Sequence, residues 1–218
     1  MKKSMPHTIL IADDHRLLRE GLRALLERDG FHVVAEADNG RSAVRLAKQL
    51  QPDIVITDIA MPDLNGVEAT RQISAEAPRS KVLALSMHTQ SRFVLGILEA
   101  GASGYLLKDS AFEELSVAIN AILKNQIYLS PAIAGVVVQQ SLGHSLSKSG
   151  SSQSELSKRE REVLQLIAEG KSTKKIAAML HISVKTVETH RKQIMDKLDI
   201  HSVAELTKYA VREGVSFL

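Results

Sequence analysis

The sequence contains no cysteine, and aromatic residues make up only 3% of its 218 residues. The absence of cysteine excludes disulfides and thiolate metal sites. No apolar run approaches the roughly 18 residues of a membrane span, and the first seven residues lack the apolar core of a signal peptide. Together these two features lead us to expect a soluble, cytoplasmic protein with no membrane association. Apolar residues still make up 44% of the chain, which is enough for cores that are mainly aliphatic.

Charge of neither sign is in large excess, but it is distributed unevenly along the chain. Residues 7–128 hold 13 Lys and Arg against 16 Asp and Glu, whereas residues 155–218 hold 12 against 9. The resulting balances of −3 and +3 predict two domains with different partners. Residues 143–154, with six serines and two glycines, have the composition of a flexible linker.

Short apolar segments alternate with helical patterns five times in the N-terminal part of the chain. Strands are expected at residues 8–12, 31–37, 53–58, 81–86 and 104–108, and an amphipathic helix pattern follows each of them. Strands that alternate with helices predict a five-stranded parallel sheet covered on both faces.

Polar side chains stand at the carboxyl ends of four of these predicted strands. Asp13 and Asp14 follow the first strand, and Asp58, Ser86 and Lys108 end the third, fourth and fifth. Parallel strands bring their carboxyl ends to one edge of a sheet, where three carboxylates need a hard cation such as Mg²⁺. A carboxylate there could attack phosphorus, with the ammonium and the hydroxyl meeting the phosphoryl oxygens. Each residue alone could instead be a helix cap or a solvated group, but the joint pattern favours a phosphorylation switch.

These residues together resemble the receiver domain of bacterial response regulators, over about residues 7–128. The resemblance rests on Asp13-Asp14, Asp58-Ile-Ala-Met-Pro62, Ser86 and Lys108. It implies a flavodoxin-like, doubly wound fold in which Asp58 is the phospho-acceptor. It also implies Mg²⁺ held by Asp14, Asp58 and the backbone carbonyl of Ala60, with Asp13 acting through water.

The same resemblance implies that Ser86 and Tyr105 form a switch pair, with Lys108 at the phosphoryl group. Asp109 stands where many receiver domains have a proline after the lysine. A cis peptide bond at that point cannot be assumed, because without proline it costs roughly 3 kcal/mol.

The C-terminal part shows three short helix patterns. Ser157 begins the first with a capping box, Ser172 or Thr173 caps the second, and Ser183 caps the third. The second and third have the spacing of a helix-turn-helix unit. The polar face of the third helix is either merely solvated or a DNA-binding surface. The candidate DNA contacts are Lys185, Thr186, Glu188, Thr189, His190 and Lys192.

The segments Leu156-Ser-Lys-Arg-Glu160, Thr186-Val-Glu-Thr-His190 and Lys197-Leu198 resemble the LuxR-type DNA-binding domain. Both halves together resemble a full-length NarL/FixJ-type response regulator, a homodimer when active whose partners are DNA, a sensor histidine kinase and RNA polymerase. The resemblance implies dimer contacts on a fourth helix over residues 203–213, unless that helix only closes the domain core. The candidate dimer contacts are Leu206, Tyr209 and Ala210.

We therefore predict a receiver domain at 7–128, a connecting helix and linker at 129–154, and a small all-α DNA-binding domain at 155–218. A haloacid-dehalogenase-like phosphatase would need a second aspartate where this chain has Ala60, so we expect no enzyme. A receiver without DNA output conflicts with the C-terminal motif. A regulator that binds DNA independently of phosphorylation stays open. The sequence also leaves two mechanisms of activation open. Phosphorylation either uncovers a recognition helix that the receiver covers in the resting state, or dimerises the receiver and so brings two DNA-binding domains together.

Overall fold

A computed structural model describes residues 6–143 and 156–217. They separate into two compact units, an N-terminal α/β unit and a C-terminal helical unit. The Ser-rich segment predicted to be a linker lies outside the described residues, apart from Gly143.

The N-terminal unit is a parallel sheet whose strands are connected by helices. Its strands are β1 (Thr8–Ala12), β2 (His32–Ala37), β3 (Ile54–Asp58), β4 (Lys81–Ser86), β5 (Gly104–Leu107) and β6 (Tyr128–Leu129). Its helices are α1 (Arg16–Arg28), α2 (Gly40–Leu50), α3 (Gly66–Glu76), α4 (Ser91–Glu99), α5 (Ala111–Leu123) and α6 (Pro131–Gly143), with a 3-10 turn at Lys108–Ser110.

The strand order is β2-β1-β3-β4-β5-β6, and every strand pairing is parallel. Helix α1 packs with α5, while α2 packs with α3 and α3 with α4, so helices cover both faces, as the alternation predicted. Because the chain runs from β1 outward to β2 and then back to β3, the strand order reverses beside β1. In such sheets ligands bind outside the carboxyl ends of the strands at this point.

The prediction of five strands was wrong, because the sheet has a sixth. Strand β6 has two residues and pairs Tyr128 with Gly104 and Leu129 with Tyr105. Two residues are too few for any alternation of apolar and polar positions to be detected. The predicted receiver boundary at residue 128 falls inside this strand.

Strand β3 lies in the interior of the sheet because its residues are mainly apolar. The loop that follows it brings Gly66 very close to the end of the strand. All five residues of β3 are buried, Asp58 included. A Cβ on Gly66 would lie 2.0 Å from the backbone oxygen of Asp58, so only glycine fits at that position. The Gly66 amide also donates to the carbonyl of Ile59 at 2.9 Å. This close return holds the backbone around Asp58 in place.

The C-terminal unit consists of α7 (Lys158–Ala168), α8 (Thr173–Leu180), α9 (Val184–Leu198) and α10 (Val203–Arg212). Ser157 and Glu160 form the predicted capping box, and Ser172 and Ser183 cap the next two helices. The buried residues Val163, Leu166, Ile176, Val187 and Ile194 belong to one core. No helix within 6–143 or 156–217 is both long enough and apolar enough to cross a membrane.

Candidate functional site

Three carboxylates and one imidazole meet at the carboxyl edge of the sheet, where β1 and β3 end. Asp13 and Asp58 are buried, with exposures of 1% and 3%, whereas Asp14 and His15 are exposed. One ligand atom from each of the four side chains lies within 4.8 Å of the others. The sequence predicted that the three aspartates meet. It did not indicate His15, although its position directly after Asp13-Asp14 was an available signal.

His15 faces the carboxylates from the start of α1. Its Nδ1 lies 2.9 Å from Oδ1 of Asp14 and 3.1 Å from Oδ1 of Asp13. The backbone amide of His15 also donates to Asp13 Oδ1 at 2.8 Å. The entry to α1 therefore holds Asp13 in one orientation while Asp14 stays open to solvent.

Lys108 connects the two buried carboxylates. Its Nζ lies 2.7 Å from Oδ2 of Asp58 and 2.7 Å from Oδ2 of Asp13. Burial by itself would lower the pKa of Lys108, but both carboxylates raise it and the net shift is upward. Burial raises the pKa of Asp58, although Lys108 opposes that shift.

The donor set at this edge fits a hard divalent cation. Three carboxylates share one ammonium, so negative charge remains in excess, and carboxylate oxygens are the ligands that Mg²⁺ prefers. Oδ1 of Asp58 accepts from the amide of Ile59 at 2.6 Å, and a hydrogen bond from the backbone of Ala60 lowers the pKa of Asp58. The backbone amide of Ala60 therefore lies beside the carboxylate of Asp58.

The strand register places Ser86 between Asp58 and Lys108. Asp58 pairs with Leu85, the residue before Ser86, and Ser86 pairs with Leu107, the residue before Lys108. Ser86 is buried, and its Oγ accepts from the amide of His88 at 3.1 Å.

Tyr105 lies beside the same loop, with its ring fully buried. Its hydroxyl donates to the carbonyl of His88 at 2.6 Å. Burial raises the pKa of Tyr105 to about 12, and a hydrogen bond with Ser86 opposes that rise. His88 therefore bridges the two predicted switch residues, and no sequence pattern indicated it. Among the described residues no peptide bond is cis, so the bond after Lys108 is trans.

Helix α9 of the C-terminal unit presents the polar face that the sequence predicted. Val187 and Ile194 are buried in the core. The exposed residues among the six candidate DNA contacts are Lys185, Glu188, Thr189 and Lys192, while Thr186 and His190 are partly exposed. The hydroxyl of Thr189 donates to the carbonyl of Lys185 at 3.0 Å, which fixes its orientation on this face.

Two of the three candidate dimer contacts lie in the core. Leu206 and Ala210 are both 0% exposed and pack with the apolar residues of α7 and α9, so neither side chain can reach a second protein. The apolar stripe of α10 closes the core at these positions, which is the alternative that the sequence left open. Tyr209 is partly exposed, with the guanidinium of Arg212 5.4 Å from the centre of its ring.

Two protein-family models match the chain. Residues 9–120 match the response regulator receiver domain, and residues 154–210 match the LuxR family of bacterial regulatory proteins. The chain belongs to the response regulators. It is a two-component response regulator with a LuxR-type DNA-binding domain, which confirms the predicted family and function.

Full-length relatives share both domains of this response regulator. The chain is 40% identical over 205 residues to the transcriptional regulatory protein LiaR of Bacillus subtilis, covering 94% of this chain and 96% of LiaR. It is 35% identical over 208 residues to the response regulator UvrY of Escherichia coli, covering 95% and 94%.

Solved structures agree with the fold. A LuxR-family two-component response regulator from Aurantimonas sp. is 42% identical, with a TM-score of 0.60 over 63% of this chain and 99% of that one. The response regulator RcsB of Salmonella typhimurium is 25% identical, with a TM-score of 0.57 over 95% of this chain and 99% of that one. RcsB has also been solved as dimers bound to DNA, in a structure 26% identical with a TM-score of 0.58 over 94% of this chain and 97% of that one.

Proposed function

We propose that phosphorylation of Asp58 controls this response regulator and that its active homodimer binds specific DNA sites through α9. The observation that carries the proposal is the buried pair of contacts from Lys108 to Asp58 and Asp13, both 2.7 Å. An ammonium held between two carboxylates at the carboxyl edge of a parallel sheet is placed to meet a phosphoryl group transferred to one of them.

Asp58 is the carboxylate that we expect to accept the phosphoryl group. One of its oxygens attacks the phosphorus of a phosphohistidine on a sensor kinase or of a small phosphodonor. The P–N or P–O bond of the donor breaks, its electron pair leaves with the donor, and an aspartyl phosphate remains. Lys108 stays within reach of the new group and pairs with one of its oxygens.

Asp14, Asp58 and the carbonyl of Ala60 would hold Mg²⁺ at this edge, with Asp13 acting through water. The bound ion would offset the negative charge that the carboxylates and the phosphodonor bring together. The excess of three carboxylates over one ammonium supports this assignment. The exposure of Asp14 gives the edge an opening to solvent through which an ion and a donor can enter.

Ser86 and Tyr105 are the residues that we expect to respond to phosphorylation. The new group carries a charge of about −2, and the buried hydroxyl of Ser86 is the donor that the register places nearest to it. If Ser86 turns toward the phosphoryl group, its hydrogen bond with the amide of His88 breaks. Tyr105, which donates to the carbonyl of the same residue, then shifts with the loop.

The C-terminal unit supplies the DNA contacts. We assign Lys185, Thr186, Glu188, Thr189, His190 and Lys192 to this surface. Lys192 and Glu188 are the candidates for base contacts, and Lys185, in the first turn of α9, is the candidate for a phosphate contact. The DNA-bound dimers of RcsB support binding by a homodimer, in which Tyr209 remains the dimer candidate. RNA polymerase is the further partner, and a DNA-binding regulator works in the cytoplasm beside the chromosome.

Incubation with acetyl phosphate and Mg²⁺, followed by intact-mass measurement, tests the phosphorylation. The wild type should gain one phosphoryl group and Asp58→Asn none. Asp109→Asn, which alters an exposed aspartate next to Lys108, is the matched control and should be labelled normally. Undiminished labelling of Asp58→Asn would contradict the assignment.

Selection of bound sites from random DNA, with and without acetyl phosphate, tests the second half of the proposal. We expect one recurrent sequence with two half-sites, enriched more strongly by the phosphorylated protein. Equal enrichment in both conditions would instead indicate a regulator that binds DNA independently of phosphorylation.

A further inference from the structure

Ser130, at the junction between β6 and α6, is a buried polar residue that the proposed chemistry does not use. It is 1% exposed. Its Oγ accepts from the amide of Leu107 at 3.3 Å and donates to Oε2 of Glu114 at 3.1 Å. A hydroxyl can donate and accept at once, so this side chain joins β5 to α5.

The backbone of Ser130 makes further connections. Its amide donates to the carbonyl of Tyr105 at 2.9 Å, and its carbonyl accepts from the amides of Ile133 at 2.8 Å and Ala134 at 3.1 Å. The last two bonds form the first turn of α6. Pro131 occupies the first position of α6, where its missing amide hydrogen is not needed. The carbonyl of Ser130 is therefore the acceptor on which the helix begins.

One series of contacts leads from Ser130 to the phosphorylation site through Leu107. Leu107 directly precedes Lys108, and the ammonium of Lys108 lies 2.7 Å from Asp58. A movement of Lys108 toward a phosphoryl group therefore pulls on the backbone whose amide is bonded to Ser130.

A second series leads to the same residue through Tyr105. Ser86 accepts from the amide of His88 at 3.1 Å, and Tyr105 donates to the carbonyl of His88 at 2.6 Å. The carbonyl of Tyr105 is in turn bonded to the amide of Ser130. Lys108 is therefore connected to Ser130 through Leu107, and Ser86 is connected to it through His88 and Tyr105. Both series of contacts reach the first turn of α6 through this one serine.

We propose that Ser130 is a positioning residue that transmits the phosphorylation state of Asp58 to the first turn of α6. The inference rests on the proposed function, because it needs Asp58 to accept a phosphoryl group. A buried hydrogen-bonding group left without a partner is costly, so a shift of β5 at Leu107 or Tyr105 moves Ser130 with it. Helix α6 is the last element before residues 144–155, which connect to the DNA-binding unit.

Ser130→Ala removes both side-chain hydrogen bonds and keeps the backbone ones. Ser130→Cys is the second variant, since its somewhat larger thiol occupies the place of the hydroxyl and is a weaker donor and acceptor, and it carries the test if the alanine variant unfolds. Tyr128→Phe is the matched control. The hydroxyl of Tyr128 also donates to Oε2 of Glu114, at 2.8 Å, and its removal leaves the bond between Ser130 and Leu107 in place.

Three measurements on the full chain, with and without acetyl phosphate, test the proposal. They are phosphoryl uptake by intact mass, affinity for the selected DNA site, and hydrogen exchange at the amides of Ile133 and Ala134. We expect both Ser130 variants to take up the phosphoryl group normally while the gain in DNA affinity on phosphorylation falls at least about fivefold. Exchange at the two amides should respond to phosphorylation in the wild type and in Tyr128→Phe, and clearly less in the Ser130 variants, which keep only the backbone bond to the carbonyl of Tyr105.

An unchanged gain in affinity in both Ser130 variants would overturn this inference and leave phosphorylation control standing. An equal loss in Tyr128→Phe would also overturn it, because the effect would then come from Glu114 rather than from β5. If the wild type takes up no phosphoryl group, the proposed function fails at its own step and the inference falls with it.

Discussion

Gly66→Ala should damage both the stability of the N-terminal unit and its phosphorylation. The new Cβ would lie 2.0 Å from the backbone oxygen of Asp58 and 2.8 Å from both its carbonyl carbon and the Cα of Ile59. All three atoms belong to the backbone, so no side-chain rotation relieves the clash. The loop after β3 must instead move by more than 1 Å to reach ordinary contact distances near 3.4 Å.

The energetic cost of that movement has two parts. Overpacking in a dense interior costs typically about 1–3 kcal/mol, and loss of the hydrogen bond from the Gly66 amide to Ile59 adds about 1 kcal/mol. We therefore expect the free energy of unfolding to fall by about 2–4 kcal/mol. For a unit of this size, that corresponds to a decrease in melting temperature of roughly 6–12 °C.

Thermal unfolding followed by calorimetry, together with the rate of phosphoryl uptake from acetyl phosphate, measures both effects. Phosphoryl uptake should slow at temperatures where the variant is still folded, because the clashing atoms belong to the backbone of Asp58 and Ile59. Gly96→Ala is the matched control: apart from its chain neighbours and the backbone of its own helix, no heavy atom lies within 4 Å of its added Cβ, and alanine is favoured over glycine inside a helix. Its melting temperature should stay the same or rise. A Gly66→Ala protein with wild-type stability and uptake would refute the reasoning.

Three further predictions concern other parts of the protein. Because the pKa of Tyr105 is raised to about 12, its contribution to stability is complete below pH 10 and is lost as pH rises toward 12. The free energy of unfolding, measured with urea from pH 9 to 11.5, should therefore decline less steeply in Tyr105→Phe, by up to about 2 kcal/mol, and parallel curves would contradict this. Lys192→Ala should cost about 1–3 kcal/mol on the selected DNA site and much less on random DNA, whereas Lys185→Ala should weaken both alike. Binding titrations at several salt concentrations would show the difference. An equal loss of affinity for Lys192→Ala on both DNAs would mean that Lys192 does not contact bases and would leave Glu188 as the candidate. Leu206→Ala should lower the free energy of unfolding of the C-terminal unit by about 2–5 kcal/mol, as a core truncation does. Weaker dimerisation with unchanged stability would contradict the placement of Leu206 in the core.

The sequence alone determined the features that depend on residues close together in the chain. Ser157, Ser172 and Ser183 cap their helices through contacts with amides three residues later. Spacing was enough to identify the first and third caps, whereas for the second it left Ser172 and Thr173 as alternatives. The alternation of strands and helices predicted a parallel sheet. The strand-end rule then predicted that Asp13, Asp58 and their neighbours meet, because parallel strands present their carboxyl ends to one edge.

Other features depend on which segments meet across the fold, and only the tertiary structure decided them. Strand β6 has too few residues for any periodicity, and it exists because β5 offers it a free edge. The apolar stripe of α10 suits a dimer surface and a core equally well, and its contact with α7 buries Leu206. The hydrogen bonds of Ser130 to Glu114, Leu107 and Tyr105 reach 16 to 25 positions back along the chain. The close approach of Gly66 to Asp58 depends on the path of the loop between them. Local periodicity reports which face of an element is buried, whereas the partner that covers that face is determined by long-range packing.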